Sequence, residues 1–165
     1  MEKLNKRLRE IYIKEILMVA AIIVAVWVLQ PNFEIVINRS QSLPINFVLI
    51  KKGELPTKKD SIFVFKVRNN PHYKMKETNF IKLLGGTSGE KIIVNDRNIF
   101  VEGRLIGAAK TNTLKGQSLT MAESGIIPPH KFFAYTTHKD SFDSRYKDLG
   151  LIDEKDIIGT AIFAF

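Results

Sequence analysis

The chain has 165 residues and a formal net charge of +8, with 25 Lys and Arg against 17 Asp and Glu, and it contains no cysteine. This length fits one domain of ordinary size, and 45% hydrophobic with 25% charged residues excludes global disorder and a polytopic membrane protein. Without cysteine there is no disulfide framework, thiolate zinc site, iron–sulfur cluster or cysteine nucleophile. The basic excess alone fits a nucleic-acid partner and an anionic membrane surface equally well.

An apolar run near the N-terminus predicts a membrane-spanning helix. Ile16 to Leu29 contains no charged residue, and Ile11 to Ile13 extends the run upstream of Lys14, whose side chain can reach the lipid headgroups. About 20 residues cross a ~30 Å hydrocarbon layer, so we expect a spanning helix from about Ile11 to Gln30. Basic residues ahead of the helix predict a cytoplasmic N-terminus and translocation of everything from Pro31 onward; they are Lys3, Lys6, Arg7 and Arg9.

Two alternatives to this anchor remain open, a cleaved signal peptide and a buried core helix of a soluble protein. A signal peptide ends in a small-x-small cleavage site, and the stretch from Trp27 to Gln30 offers none. We therefore expect a single-pass protein of the inner, cytoplasmic membrane, with residues 1–30 as the cytoplasmic N-terminus and anchor and residues 31–165 as an extracytoplasmic domain. This placement disfavours nucleic acid as a partner and favours the lipid bilayer.

Short β-prone runs separated by turn residues fill the chain after the anchor and predict a mainly antiparallel β domain, a small barrel or coiled sheet. The predicted strands are Glu34 to Asn38, Phe47 to Ile50, Ser61 to Val67, Lys91 to Val94, Asn98 to Val101, Lys131 to Thr136 and Ile157 to Phe165. Turns are predicted at Lys52-Gly53, Asn69-Asn70-Pro71, Gly85-Gly86, Asn95-Asp96, Glu102-Gly103 and Pro128-Pro129. No long helical period follows the anchor.

Basic residues are crowded in the first half of this domain, and they form either a solvated face or a patch that rests on anionic lipid. They are Lys51, Lys52, Lys58, Lys59, Lys66, Arg68, Lys74 and Lys76.

Several motifs that carry chemistry elsewhere are incomplete here. The stretch GGTSGEK at Gly85 to Lys91 lacks the Gly-Lys-Ser/Thr ending of a phosphate-binding loop. His72, His130 and His138 do not have the spacing of metal ligands, so we expect neither a metal nor a cofactor. A triad of His138, Asp143 and a serine lacks the nucleophile elbow that would present the serine.

Three segments of the chain contain serine, lysine and charged residues in a fixed order. The first is NRSQSLP at Asn38 to Pro44, just past the anchor; the second is FIKLLGGTSGE at Phe80 to Glu90; the third ends in SFDSRY at Tyr146. In this order they resemble the signal peptidase I superfamily of membrane-anchored Ser/Lys proteases. The second segment matches the family's lysine stretch at Lys82, Gly86 and Gly89, with Glu90 in place of Asp. The third reproduces the family's SxDSR at Ser141, Asp143, Ser144 and Arg145.

Where the chain departs from the signal peptidase pattern, it has Asn38, Ser40, Ser42 and Pro44 in one segment and S-F-D-x-R-Y later in the chain. This arrangement is similar to that of the TraF-type peptidases of conjugative transfer systems, which process and in some systems cyclise the pilin subunit. The family's usual Lys-Arg pair is Lys82-Leu83 here, and its GDN segment is replaced around Thr136 to His138. The resemblance implies a signal-peptidase-like β domain without the second domain of large bacterial signal peptidases.

The residues around Lys82 suit the chemistry that the resemblance implies. A serine nucleophile needs a base within hydrogen-bond reach, and a lysine can serve only if its pKa falls from about 10.4 toward 7 or 8. Phe80, Ile81, Leu83 and Leu84 surround Lys82 in sequence, and apolar surroundings disfavour the ammonium form. Taken by itself, the stretch FIKLL favours an ordinary strand-edge lysine.

The resemblance implies a role for each matching residue. Ser42 would be the nucleophile and Lys82 the general base, and Ser40 with the Ser42 backbone N–H would form the oxyanion hole, although Ser40 is also an alternative nucleophile. Ser141 would orient Lys82, and an ion pair of Asp143 and Arg145 would support the loop. A substrate would add as a β-strand, with an apolar pocket for a small side chain before the cleaved bond. Asn79, Phe80 and Ile81 would form one wall of that pocket, and Pro44 would also contact the substrate.

The predicted function is therefore that of a monomeric, membrane-anchored serine endopeptidase with a Ser/Lys dyad that matures a conjugative pilin precursor. Two alternatives remain. One is a general signal peptidase that acts on many secreted precursors. The other is a non-catalytic membrane-anchored assembly factor with the same fold.

Overall fold

The computed structural model describes residues 2–70 and 76–165, so the predicted features at Pro71, His72 and Lys74 lie outside the described residues. The chain divides into two compact units, one up to Glu34 and one from Ile35 to Phe165. The first unit is built on helix α1, Glu2–Leu29.

Helix α1 contains neither glycine nor proline, and it ends just before Pro31, whose ring is incompatible with a helix interior. Its segment Ile11–Leu29 is 19 residues long and apolar enough to cross a membrane. Every side chain from Ile11 to Leu29 is exposed. Such a helix buries its apolar surface only when a nonaqueous phase or a partner covers it.

The second unit consists of two antiparallel sheets. Its strands are β1 Phe33–Ile37, β2 Phe47–Lys52, β3 Ile62–Arg68, β4 Glu77–Gly86, β5 Lys91–Asn95, β6 Asn98–Val101, β7 Arg104–Ala108, β8 Gly125–Ile126, β9 Lys131–Tyr135, β10 Ile152–Asp153 and β11 Ile157–Ala164. The larger sheet has the order β1-β2-β11-β3-β4-β9-β10, and the smaller one has the order β7-β6-β5-β8. A single 3₁₀ turn, Glu154–Asp156, is the only helical element among the described residues after α1. The prediction of a mainly β fold with one N-terminal apolar helix is confirmed.

Strand β9 links the two sheets because its alternate side chains belong to different parts of the core. Phe132 and Ala134 pack with Phe63 and Leu84 of the larger sheet. Phe133, the residue between them, packs on the other face with the aliphatic side chains of the smaller sheet. This alternation follows from the two-residue period of a strand. A third cluster lies around the β1–β2 connection and includes Leu43 and Ile81.

The predicted strands all have counterparts, whereas β4, β7, β8 and β10 were missed. The turn predicted at Gly85-Gly86 is wrong, because both glycines lie inside β4. A Cβ at Gly85 would be 3.0 Å from the Phe133 ring, and one at Gly86 would be 2.7 Å from the Ile127 side chain. These glycines therefore allow close packing of core side chains against a strand; the turn follows at residues 87–90.

Many of the crowded basic residues have carboxylate partners. Lys51 pairs with Glu54 at 3.0 Å and Lys66 with Glu77 at 2.8 Å. Lys59 contacts the carboxylate of Glu90, and Arg68 contacts those of Glu77 and Asp156. Since the paired carboxylates offset these charges, the contacts favour a solvated face over a lipid-binding patch.

Candidate active site

Strand β4 carries Lys82 into the interior of the second unit. Its Cα is paired in register with Phe63 of β3, and only 5% of the residue is exposed. The Nζ atom donates hydrogen bonds to Ser42 Oγ at 3.2 Å and to Ser141 Oγ at 2.8 Å. Three residues that are far apart in sequence are thereby brought to one point.

Burial gives Lys82 a base-like character. Desolvation disfavours the ammonium form and lowers the pKa of Lys82 to about 8, while the negative charge of Asp143 opposes the shift and the positive charge of Arg145 adds to it. The Phe80 ring centroid, 5.5 Å from Nζ, is part of the surroundings that replace water. Of the apolar residues next to Lys82 in the sequence, Phe80 thus also lies near the amine in space.

Asn38 organises the short connection between β1 and β2 that carries Ser42. Its side-chain Nδ2 donates to the carbonyl oxygens of Leu43 at 3.1 Å and Ile45 at 2.9 Å. Its Oδ1 accepts from both the backbone N–H and the hydroxyl of Ser40, each at 3.0 Å. The Leu43 side chain is buried in the core. Ser42 is therefore held between an anchored leucine and a hydrogen-bonded turn.

The hydroxyls of Ser40 and Ser42 lie 2.8 Å apart, within hydrogen-bond distance. Because Asn38 Oδ1 can only accept, the Ser40 hydroxyl donates its proton to Asn38. The Ser40 oxygen can then accept a hydrogen bond from the Ser42 hydroxyl. Ser42 is thus flanked by Ser40 on one side and by Lys82 on the other.

Behind Lys82 lies a buried ion pair. Arg145 Nε and one terminal NH₂ group each donate to the Asp143 carboxylate at 2.8 Å, and neither residue exposes more than 2% of its surface. The backbone N–H of Thr136 also donates to this carboxylate, at 3.2 Å. Arg145 further donates to the carbonyl oxygens of His138 and Ser141. The pair therefore holds the loop that carries Ser141.

The four residues predicted to bind substrate are distributed over different surroundings. Pro44 and Asn79 are exposed, Phe80 is half-buried, and Ile81 is buried in the core cluster that includes Leu43. Since side chains alternate along β4, Phe80 lies on the same face as Lys82, whereas Asn79 and Ile81 lie on the opposite face. The predicted wall thus divides between two faces of the strand.

A second polar cluster, not foreseen from the sequence, lies at the end of β4. Arg104 NH1 donates to both carboxylate oxygens of Asp60, at 2.7 and 2.8 Å, and the Tyr135 hydroxyl donates to the same carboxylate. Lys59 contacts the Glu90 carboxylate and donates to the Gly85 carbonyl oxygen. The replacement of the family Asp by Glu90 was the one signal in the sequence that pointed here.

The alternative sites have little geometric support. His138 Nδ1 is 3.2 Å from the backbone N–H of Asp140, and the Asp143 carboxylate is engaged by Arg145, so a triad of these residues is not assembled. Within residues 2–70 and 76–165, no three His, Asp or Glu side chains cluster as metal ligands would.

The fold is consistent with that of a signal peptidase, and sequence comparison gives the family. A family model described as "Signal peptidase, peptidase S26" matches residues 8–165, and the chain belongs to this family. It is also 25% identical over 89 residues to the conjugal transfer protein TraF of Agrobacterium tumefaciens (strain 15955). That match covers 52% of this chain and 49% of TraF, so the chain spans about half the length of this curated relative. The predicted resemblance is confirmed, and the apolar helix together with the family suggests membrane anchoring.

Proposed function

We propose that this protein is a membrane-anchored Ser/Lys endopeptidase that cleaves a pilin precursor of a conjugative transfer system on the outer side of the cytoplasmic membrane. The observation that carries the proposal is the 3.2 Å contact between Ser42 Oγ and Lys82 Nζ in a site where Lys82 is 5% exposed. The similarity to TraF supports conjugal transfer as the setting. The basic residues in the first turns of α1, ahead of its apolar segment Ile11–Leu29, favour a cytoplasmic N-terminus.

Lys82 acts as the general base. With a pKa of about 8, about one molecule in ten carries neutral Lys82 at pH 7. In that form the Nζ lone pair accepts the Ser42 proton as Oγ attacks the scissile carbonyl. Ser141 Oγ, 2.8 Å from Nζ, keeps the amine directed at Ser42.

The negative charge that develops on the carbonyl oxygen is held by the Ser42 backbone N–H and the Ser40 hydroxyl. In the resting site the Ser40 hydroxyl donates to Asn38 Oδ1, so its proton turns toward the oxyanion as that charge forms. Asn38 Oδ1 keeps the backbone N–H of Ser40 as a donor. The loop geometry is therefore maintained while the hydroxyl rotates.

The leaving amine takes the proton back from Lys82, and an acyl-enzyme on Ser42 remains. A water molecule, deprotonated by Lys82, then attacks the ester, and Lys82 returns that proton to Ser42 Oγ as the product acid leaves. The ion pair of Asp143 and Arg145 does not exchange protons in this scheme; it holds the Ser141 loop.

The test is processing of a co-expressed TraF-system pilin precursor by the full chain in bacterial membranes, followed by mass spectrometry of the pilin. Ser42→Ala and Lys82→Ala are expected to lower processing at least about 10³-fold while membrane insertion is retained. Ser40→Ala is expected to cost about 10²-fold as the loss of one oxyanion donor. Matched controls are Ser88→Ala and Lys91→Ala, both exposed and outside the site.

Normal processing by both Ser42→Ala and Lys82→Ala would refute the dyad and favour a non-catalytic assembly factor. Cleavage of many unrelated secreted precursors by the wild-type chain would favour a general signal peptidase.

A further inference from the structure

A cleft with a volume of about 220 Å³ lies beside Ser141. One wall is a hairpin formed by residues 110–119, and the other is the segment 140–146. The volume is below the 300–1,000 Å³ of sites for drug-sized ligands and suits one or two amino-acid side chains. Ser141 is the link to the candidate active site, because it both lines the cleft and contacts Lys82 Nζ.

Backbone hydrogen bonds hold the hairpin in shape. The backbone N–H of Leu119 donates to the Thr111 carbonyl at 2.8 Å, and that of Thr113 donates to the Gln117 carbonyl at 2.8 Å. Gly116 has the positive φ, 78°, that the turn requires. On this turn the Leu114 side chain is 84% exposed. Leu114 lines the cleft together with Leu119 and Phe142, so its exposed side chain is accessible to a ligand in the cleft.

The opposite wall is aromatic. The rings of Phe142 and Tyr146 are stacked with centroids 5.9 Å apart, and the Tyr146 hydroxyl accepts from the backbone N–H of Lys110 at 3.0 Å. The Lys110 ammonium contacts the Asp140 carboxylate. Lys110 and Asp140 thus pair with each other at the rim, and the apolar side chains of Leu114, Leu119 and Phe142 also line the cleft.

The position of the cleft relative to Lys82 indicates which part of a substrate would enter it. Lys82 Nζ contacts Ser42 Oγ and Ser141 Oγ, and the same Nζ must return its proton to the leaving nitrogen. The chain that follows the cleaved bond therefore begins next to Lys82. Ser141 places the cleft on this side, whereas the wall predicted from the sequence would hold the chain before the cleaved bond.

We propose that this cleft is a specificity subsite for an apolar side chain, of leucine or phenylalanine size, in the substrate segment that follows the cleaved bond. The proposal rests on the proposed endopeptidase function and adds a determinant of substrate choice. Leu114 supplies the apolar contact on the hairpin, and the stacked rings of Phe142 and Tyr146 supply the one on the opposite wall.

The experiment uses the full chain in detergent micelles and a mixture of synthetic peptides of unrelated sequence, from which the best-cleaved peptide is taken. Variants of this peptide are then made with leucine or serine at each of the first three positions after the cleaved bond. A methyl ester of the part before the cleaved bond is also made, because it has no segment that could enter the cleft. The wild-type chain is expected to prefer leucine at one position by about tenfold in kcat/KM. Leu114→Ser is expected to reduce that preference to below about threefold and to leave ester hydrolysis unchanged.

The matched control is Leu105→Ser, which removes another exposed leucine, on β7, that does not line the cleft. It is expected to keep both the preference and the ester rate. A tenfold leucine preference retained by Leu114→Ser would overturn the subsite, as would equal cleavage of leucine and serine peptides by the wild-type chain. An equal loss of peptide and ester hydrolysis in Leu114→Ser would also overturn it, because the hairpin would then support Ser141.

Failure of the endopeptidase function gives a different result. In that case no peptide is cleaved, or Ser42→Ala cleaves as fast as the wild-type chain. Either result would refute the endopeptidase function and, with it, the subsite proposal.

Discussion

Two groups of charged side chains lie along β4, one around Lys82 and one at the end of the strand around Asp60. In the first group, Lys82 donates to two hydroxyls, and the nearby carboxylate of Asp143 is held by Arg145. In the second group, Arg104 donates to both oxygens of the Asp60 carboxylate. The first cation thus has neutral hydrogen-bond acceptors, and the second has a direct counterion.

The effects on ionisation follow from this difference. Desolvation lowers the pKa of Lys82 to about 8. Burial acts to raise the pKa of Asp60, but the hydrogen bonds from Arg104 and Tyr135 outweigh it and the pKa is lowered. Burial and the hydrogen bond to Asp60 raise the pKa of Tyr135 to about 12. Lys82 can lose its proton near neutral pH because desolvation outweighs the negative charge of Asp143, which Arg145 engages.

The largest expected effect on stability comes from breaking the buried ion pair. Arg145→Met leaves the Asp143 carboxylate buried without its partner and should lower the free energy of unfolding by about 3–5 kcal/mol. Arg104→Met, the matched change in the more exposed cluster, should cost about 1 kcal/mol or less. Thermal unfolding of the full chain in detergent micelles measures both. Equal losses would mean that the two clusters do not differ in burial as described.

Lys82→Met should raise the free energy of unfolding by about 3 kcal/mol at pH 7, because the folded-state pKa of Lys82, about 8, lies below the ordinary 10.5. The lowered pKa means that folding disfavours the charged form. The free-energy cost of burying charged Lys82 is present in full below pH 8 and disappears as the pH rises through 10.5. The stabilisation by Lys82→Met should therefore shrink between pH 8 and pH 10.5. Denaturant midpoints of the full chain at pH 7 and pH 10.5 test this, with Lys91→Met as an exposed control. A destabilised Lys82→Met variant at pH 7 would contradict the desolvation argument.

The smallest expected effect concerns Ser141, which accepts a hydrogen bond from the charged form of Lys82. In the wild-type chain, kcat/KM should rise about tenfold per pH unit and level off near pH 8, as Lys82 loses its proton. Ser141→Ala should move this midpoint to lower pH, because the ammonium loses an acceptor, and should lower the plateau about tenfold.

The control for that measurement is Ser144→Ala, whose hydroxyl bonds to backbone atoms of Ala134 and Gly150. Its midpoint should stay near pH 8. A midpoint unchanged in Ser141→Ala would show that Ser141 does not orient the base.

Local sequence patterns were informative where neighbours in the chain decide the structure. The uninterrupted apolar run before Pro31 is sufficient for α1, and alternation with turn residues is sufficient for strands such as β3 and β9. Strand β4 was missed because the pair Gly85-Gly86 is typical of a turn. In the structure these positions have to be glycine because side chains from β6, β9 and the segment after β8 occupy the space that a Cβ atom would need. Such contacts are non-local and leave no trace in the neighbouring sequence.

The candidate site shows the same limit. The sequence alone determined the chemical inventory: hydroxyl side chains but no cysteine, an apolar run near the N-terminus, and Ser42, Lys82 and Ser141 in an order that resembles a known family. Only the tertiary structure decided that Lys82, among many lysines, is buried against two hydroxyls, since partners 40 and 59 residues away must converge on its amine. The roles of Asn38 and Arg145, and the cleft beside Ser141, likewise arise from contacts between segments, because distance and burial are properties of the folded chain.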